Sequence, residues 1–326
     1  MKLVRYYSLK KLFWGENLKA IRIHEFGGSD ILKYEDIPEP QPGSGEIRIR
    51  VIAAGVNPMD WKIRSGYISE LPLPMIVGLD VAGVVDAVGQ GETSFQPEDE
   101  VFAKVSIGQG GYAEYTVVSS AQAAQKPKSI GFIESAAIPT AGLAAWQSLF
   151  DLAGLERGQA VLIHGAAGGV GTFAVQFAKW KGAYVIGTAS GKNAEFMKSI
   201  GADEVIDYRN QRFEDVVSDL DVVLDTIGGD TLERSWGVLK PGGFLVTTVA
   251  GIPEGIPQKY GVRAERLMTQ ADGKELAQIA DIIDEQKIKP IVTTVLPLTD
   301  ARKAHEMSES HHARGKIVLR VAEDPK

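Results

Sequence analysis

No cysteine occurs in the 326 residues, which removes disulfides, thiolate zinc sites and a cysteine nucleophile in one step. Positive charge is also short: 35 Lys and Arg stand against 42 Asp and Glu, a formal net charge of −7. Nucleic acid and anionic lipid are held through basic patches that neutralise phosphate, so neither is expected as the main partner. No Lys/Arg run and no basic stretch interleaved with aromatics changes that. The apolar patch near the N-terminus is too brief to span a bilayer and lacks a small-residue cleavage site, so no membrane partner is expected and the cytoplasm is the default compartment. What remains is a globular composition, 44% hydrophobic and 24% charged, with length for two domains that each bury a core.

Residues 1–18, "MKLVRYYSLKKLFWGENL", differ from the rest and read as an extension ahead of a domain that begins at "KAIRIHEFG". From Lys19 to Ala141, short alternating or apolar runs such as "EIRIRVIAAGV", "VAGVVDAVG" and "YAEYTVV" are separated by Pro and Gly clusters, the pattern of a mainly antiparallel β domain. Beyond Gly142 the rhythm changes. Apolar runs at 160–164, 184–188, 204–207, 221–226 and 243–249 alternate with helical stretches, which predicts βαβ units and a parallel sheet. An amphipathic helix follows, with Leu276, Ile279, Ile282 and Ile283 on one face, and the chain then returns to the first domain through "KPIVTTVLPL", a helix and "GKIVLRV". The expected division is 19–141 with 290–326 for the β domain and 142–289 for the α/β domain.

The stretch "GQAVLIHGAAGGVGTFAVQFAK" holds a strand, a tight glycine turn and a helix in that order. A helix N-terminus offers unpaired N–H groups and a positive dipole end, and Gly168 and Gly169 let a pyrophosphate approach without a Cβ in the way. Gly171 allows helix and strand to pack closely, while Ala166 departs from the strict pattern at its first glycine. A turn that serves packing alone is the competing reading.

The segment containing Gln159, Leu162, "AAGGVG", Gln176 and Lys179 resembles the quinone oxidoreductase and zeta-crystallin branch of the medium-chain dehydrogenase/reductase superfamily. Further matches are "GVNPMDWKIRSG", "PMIVGLDVAGVV", "GGYAEYTVV", "AAIPTAGLAAWQSL" and "ARGKIVL", so the likeness runs from Lys19 nearly to the end. It implies an α/β protein in which a GroES-like β domain with substrate contacts is interrupted by a doubly wound Rossmann domain, with the active site in the cleft between them. It also implies a cofactor site of Thr140, Ala167, Gly168, Gly169, Val170, Ser190, Lys192, Tyr208, Ala250 and Lys316, and a catalytic set of Asn57, Asp60, Lys62 and Tyr67.

Several of these residues carry a second reading. Asn57 before Pro58 is equally a turn residue. Asp60 and Lys62 form either a proton relay or a surface ion pair. Tyr67 and Tyr112 are phenols able to donate to a developing enolate, or packing residues. Thr140 alone would be a helix N-cap, and Lys192 a solvated helix-start residue. Relatives that oxidise alcohols hold a catalytic zinc with cysteine and histidine, using a Gly-His-Glu segment. This chain has Gly78-Leu79-Asp80 there, and leucine cannot ligate, so no metal is expected and Asp80 becomes a buried or turn-stabilising carboxylate.

Without a Lewis acid, an acceptor that needs little activation is favoured, which points to quinones and α,β-unsaturated carbonyls. NADPH is the expected cofactor, because Thr188, Ala189 and Ser190 stand where an NAD-specific domain places a carboxylate, with Lys192, Tyr208 and Arg209 as candidates for the 2′-phosphate. A homodimer joined through "GGFLVTTV" as an edge strand is also expected. The alternatives are an enoyl-thioester reductase of the same superfamily and a nicotinamide-binding protein, crystallin-like or regulatory, that no longer catalyses.

Overall fold

In a computed structural model the chain is described over residues 18–325. The expected extension at 1–18 therefore lies outside the described residues except for Leu18. Two compact units result: one holds the chain up to Pro139, Ala271–Ala280 and Val292 onward, the other Thr140–Gln270 and Asp281–Ile291.

The first unit opens with β1 (Leu18–Ile23) and β2 (Lys33–Ile37), then the long β3 (Glu46–Val56), whose last residue leads through Asn57 into helix α1 (Pro58–Arg64). It continues with β4 (Met75–Ile76), β5 (Asp80–Val88), β6 (Glu100–Lys104), β7 (Tyr115–Ser119), β8 (Ala123–Gln125) and helix α2 (Phe132–Ala136). Early in β3 the alternation is strict. Ile47, Ile49 and Val51 are fully buried against Val81, Val85, Val101 and Val118, while Arg48 and Arg50 take the other face. From Val51 to Val56 every residue is buried, as in a strand covered on both sides. Gly55 makes that cover possible, since a Cβ there would stand 2.2 Å from the carbonyl oxygen of Ala136 in α2.

In the second unit, β9 (Ala160–Ile163) runs into helix α3 (Gly169–Lys181), followed by β10 (Tyr184–Ala189), β11 (Glu204–Asp207), β12 (Leu220–Asp225), β13 (Leu239–Thr247) and β14 (Arg263–Arg266). All pairings are parallel and the order is β11-β10-β9-β12-β13-β14, the doubly wound arrangement expected. "GGFLVTTV" is not the sheet edge that the sequence suggested: Phe244 to Thr247 pair with Arg263 to Arg266, so β14 is outermost. The sequence hides β14 because it is four residues of polar, half-exposed chain, "RAER", which lack the apolar run that marks the inner strands.

The chain returns through helix α4 (Gly273–Asp284), which buries Leu276, Ile279, Ile282 and Ile283 as its periodicity predicts. Then come β15 (Val292–Pro297), helix α5 (Ala301–Glu309) and β16 (Lys316–Arg320). β16 pairs antiparallel with β3, and the first unit's larger sheet runs β15-β16-β3-β5-β6-β8, with β7 also on β3; β2-β1-β4 form a smaller one.

Candidate active site

Two clusters hold the functional candidates, one in each unit. In the second unit the strand order reverses at β9, where ligands of open parallel sheets bind, and the glycine turn sits at its C-terminal end. Gly165 takes the left-handed conformation, φ 67°, so it makes the tight turn and leaves Ala166 free to be an alanine. The Ala166 methyl faces β10 at Gly187, where a Cβ would come within 2.9 Å of it. A Cβ on Gly171 would lie 2.4 Å from the Gly165 carbonyl oxygen, so the helix packs directly on the turn. Gly168 caps α3 in extended conformation with no side chain closing the helix end. The first N–H groups of a helix have no intrahelical acceptor, and those of Gly169 and Val170 are thus available to an anion, which fits a dinucleotide pyrophosphate.

A histidine supports the turn from below. His164 is fully buried, its ring nitrogens 3.1 Å from the Thr188 hydroxyl and 3.0 Å from that of Ser235, and its carbonyl accepts the Thr226 hydroxyl at 2.8 Å. Burial pushes its pKa down to about 4, so it works as a neutral cross-link between neighbouring elements. Nearby, the buried Asp225 carboxylate receives the N–H groups of Ile227 and Gly228 and the Thr247 hydroxyl, fixing the turn after β12. Sequence reasoning passed over both residues; their signal was a polar side chain placed at the end of an apolar parallel strand.

Around the expected 2′-phosphate position, Ser190 is buried and accepts the Asn193 amide at 3.2 Å, whereas Lys192 and Tyr208 are exposed. The end of β10 carries no acid, as expected. However, Asp207 at the end of β11 brings a carboxylate to the same place: a Cβ on Gly191 would be 2.6 Å from its Oδ2. Asp207 also accepts the Arg209 N–H at 3.1 Å and the Asn210 amide at 2.7 Å, holding the Tyr208–Arg209 turn. Thr140 and Ala250 are half-buried, and Ala250 packs at the margin of the second unit's core.

In the first unit, sheet register gathers the chemistry. Asp80 lies opposite Gly55, and Ile317 opposite Val56, so the ends of β16, β3 and β5 bring Lys316, Asn57 and Asp80 together. Asn57 donates its side-chain N–H to Asp80 Oδ2 at 2.8 Å and accepts Lys316 Nζ on Oδ1 at 2.5 Å. Lys316 also donates to the Val56 carbonyl at 3.1 Å and stands 3.6 Å from Asp80. It is 3% exposed, with its ammonium turned to Asn57, the Val56 carbonyl and Asp80 inside the β unit.

Asp60 is fully buried, and its Oδ2 accepts the Asn57 backbone N–H at 2.8 Å and the Tyr112 hydroxyl at 2.9 Å. Burial pushes its pKa up to about 7, the donated Asn57 N–H opposes this, and the like charge of Asp80 adds to the rise. Burial lowers the Lys316 ammonium and raises the Tyr112 phenol. Asp60 and Lys62 do not form the surface ion pair, since Asp60 is fully buried. Residues two apart on a helix face different ways, and Lys62 lies instead 5.7 Å over the Trp61 ring. Tyr112 is a core residue with a bonded hydroxyl, and Gly78 has φ 97° with no room for a Cβ beside its ring. Tyr67 is 57% exposed, apart from this buried cluster. Leu79 packs in the core, and among the described residues no group of three His, Cys, Asp or Glu is arranged to hold a metal.

A parallel sheet with a glycine turn at its switch point, and a β unit with a buried amide, carboxylate and ammonium cluster, fit a nicotinamide-nucleotide-linked oxidoreductase. Comparison with known proteins agrees. Residues 43–128 match the alcohol dehydrogenase GroES-like domain family, and residues 200–319 the family described as zinc-binding dehydrogenase. The chloroplastic quinone oxidoreductase of Triphysaria versicolor is 33% identical, over 94% of this chain and 99% of its own. The chloroplastic NADPH-dependent alkenal/one oxidoreductase of Arabidopsis thaliana is 34% identical, over 93% of this chain and 80% of its own. The solved quinone oxidoreductase of Coxiella burnetii superposes with a TM-score of 0.87 at 34% identity, covering 94% of this chain and all of that one. The chain belongs to the quinone oxidoreductase branch of the medium-chain dehydrogenase/reductase superfamily and is an oxidoreductase. Among its described residues no helix is long and apolar enough to cross a membrane.

Proposed function

We propose that this protein reduces quinones or α,β-unsaturated carbonyls with NADPH, residues 142–289 forming the cofactor domain and 19–141 with 290–326 the domain that receives the acceptor. The reduced nicotinamide supplies a hydride, and with one proton from solvent the quinone becomes a hydroquinone, or the enone a saturated ketone. The turn from Gly165 to Val170 carries the reading, since its free N–H groups at the switch point suit a pyrophosphate. Lys192, Ser190, Tyr208 and Arg209 favour the 2′-phosphate form through charge-assisted and neutral hydrogen bonds. The acceptor class is supported by the relatives described as a quinone oxidoreductase and an alkenal/one oxidoreductase. Asn57 is the group we assign to the acceptor's oxygen, where charge develops as hydride arrives.

NADPH oxidation followed by absorbance against quinones, enals, enones and enoyl-thioesters tests this. Saturable turnover of a quinone or an enone is expected. Turnover confined to enoyl-thioesters, or NADPH binding with no turnover of any acceptor, overturns it. A homodimer working in the cytoplasm completes the reading, with β14 as the open edge of the second unit's sheet; light scattering of a monomer at micromolar concentration would remove the dimer.

A further inference from the structure

We propose that Lys316 is a positioning residue for the reaction: it fixes the Asn57 carboxamide so that the N–H not given to Asp80 is offered to the acceptor's oxygen. This rests on the reading above, in which Asn57 meets the acceptor. The orientation is set at the two ends of one amide. An ammonium only donates and a carboxylate only accepts. With Lys316 Nζ at 2.5 Å from Oδ1 and Asp80 Oδ2 at 2.8 Å from Nδ2, the amide has one permitted orientation, and turning it over would set donor against donor and oxygen against oxygen. One amide hydrogen is spent on Asp80, and the other has no partner among the described residues.

The clamp is itself held. Lys316 is tied to the Val56 carbonyl at 3.1 Å and has Asp80 at 3.6 Å, while the Asn57 backbone is fastened to Asp60 at 2.8 Å. All four side chains are 3% exposed or less. Water therefore does not compete for these bonds, and a donor whose direction is set before the acceptor arrives needs no reorganisation when charge develops. Lys316 reaches the reaction only through Asn57, so removing it should be felt as a loss of amide orientation.

The test is a double-mutant cycle of Lys316→Met and Asn57→Ala. It is read as kcat and KM for NADPH oxidation by a simple benzoquinone, with NADPH dissociation constants by fluorescence and the Asn57 side-chain amide by NMR. Lys316→Met should lower kcat on the order of 10- to 100-fold, as for a misplaced catalytic contact, and leave NADPH affinity within about twofold. In the Asn57→Ala background the same change should cost less than about threefold, because the group it orients is gone. The two Asn57 amide proton signals should move or merge in Lys316→Met. If Lys316→Met fails to fold because Asp80 is left buried without its counter-charge, Lys316→Gln keeps a donor to Oδ1 without the charge and should retain more activity than any apolar replacement that folds. Equal losses in both backgrounds, or an unmoved Asn57 amide, would overturn the proposal. A wild type that turns over no quinone or enone would sink the functional reading, and the amide spectrum would still decide the positioning.

Discussion

The Tyr112 hydroxyl donates to Asp60 across 2.9 Å with both side chains fully buried. The same carboxylate takes the Asn57 N–H at the head of α1, so the site's polypeptide path depends on a group that burial drives toward neutrality. Its pKa rises from 3.8 to about 7 on folding, so between those values the native state holds a proton that the unfolded chain has released. Stability from this group is therefore lost as pH rises through that window, by up to about 1.4 kcal/mol per pH unit. Urea unfolding of wild type and Asp60→Asn over the window should show the variant gaining on wild type as pH increases. A constant difference would contradict the assignment. Tyr112→Phe, which takes a donor from the carboxylate, should push the midpoint further up.

Two buried histidines give the opposite slope. Burial lowers His164 to about 4 and His305 to about 3 from 6.5, with the Arg64 charge adding at His305. Between those values and 6.5 the unfolded chain holds the extra protons, so stability is lost as pH falls. His305 lies edge-on to Tyr112, with ring centroids 5.7 Å apart, and bonds to no described residue. His305→Leu should leave the acid side of the stability profile flatter than that of wild type. A variant profile parallel to wild type below neutral pH would count against it.

Gly171→Ala tests the cofactor turn by packing alone. The added methyl meets backbone, the Gly165 oxygen at 2.4 Å and the Ala166 Cα at 2.6 Å, and backbone cannot step aside as a flexible side chain can. The expected outcome is a loss of about 1 to 3 kcal/mol in stability, with weaker binding of NADPH and NADH alike. Calorimetry and cofactor titration measure both; a variant as stable as wild type with unchanged affinity would show that helix and turn have slack.

Legibility in the sequence followed the strength of periodic and turn signals. The glycine turn was readable because strand, small residues and amphipathic helix occur in order, and α4 because four apolar residues fall on one face. β14 was not, since "RAER" is a strand only by virtue of its register on β13. Asn57 and Asp60 stand out in the sequence, yet their side-chain partners Asp80, Tyr112 and Lys316 lie 23, 52 and 259 residues away along the chain. No local pattern encodes such pairing. For the same reason "GKIVL" marked Lys316 as a site residue without revealing that its charge points inward.

Under the proposed function, cofactor choice is expected to turn on two opposing charges near Gly191. Lys192 is exposed and free to offer a charge-assisted hydrogen bond to a 2′-phosphate, whereas Asp207 sets a carboxylate beside Gly191 and repels one. Lys192→Ala should therefore cost about 1.5 to 3 kcal/mol of NADPH binding and leave NADH nearly unchanged. Asp207→Asn should act the other way. The asparagine oxygen still accepts from the Arg209 N–H, and the Asp207 carbonyl still accepts the Asn210 and Gln211 N–H groups, so the turn keeps these bonds while the charge and the bond to the Asn210 amide are lost. NADPH should then bind several-fold more tightly, most visibly at low salt where surface charge is least screened, and NADH should not respond. Dissociation constants of both nucleotides for wild type and the two variants, at low and high salt, decide it. Equal changes for the two nucleotides, or a wild type that prefers NADH and is indifferent to Lys192, would mean that these residues do not read the phosphate.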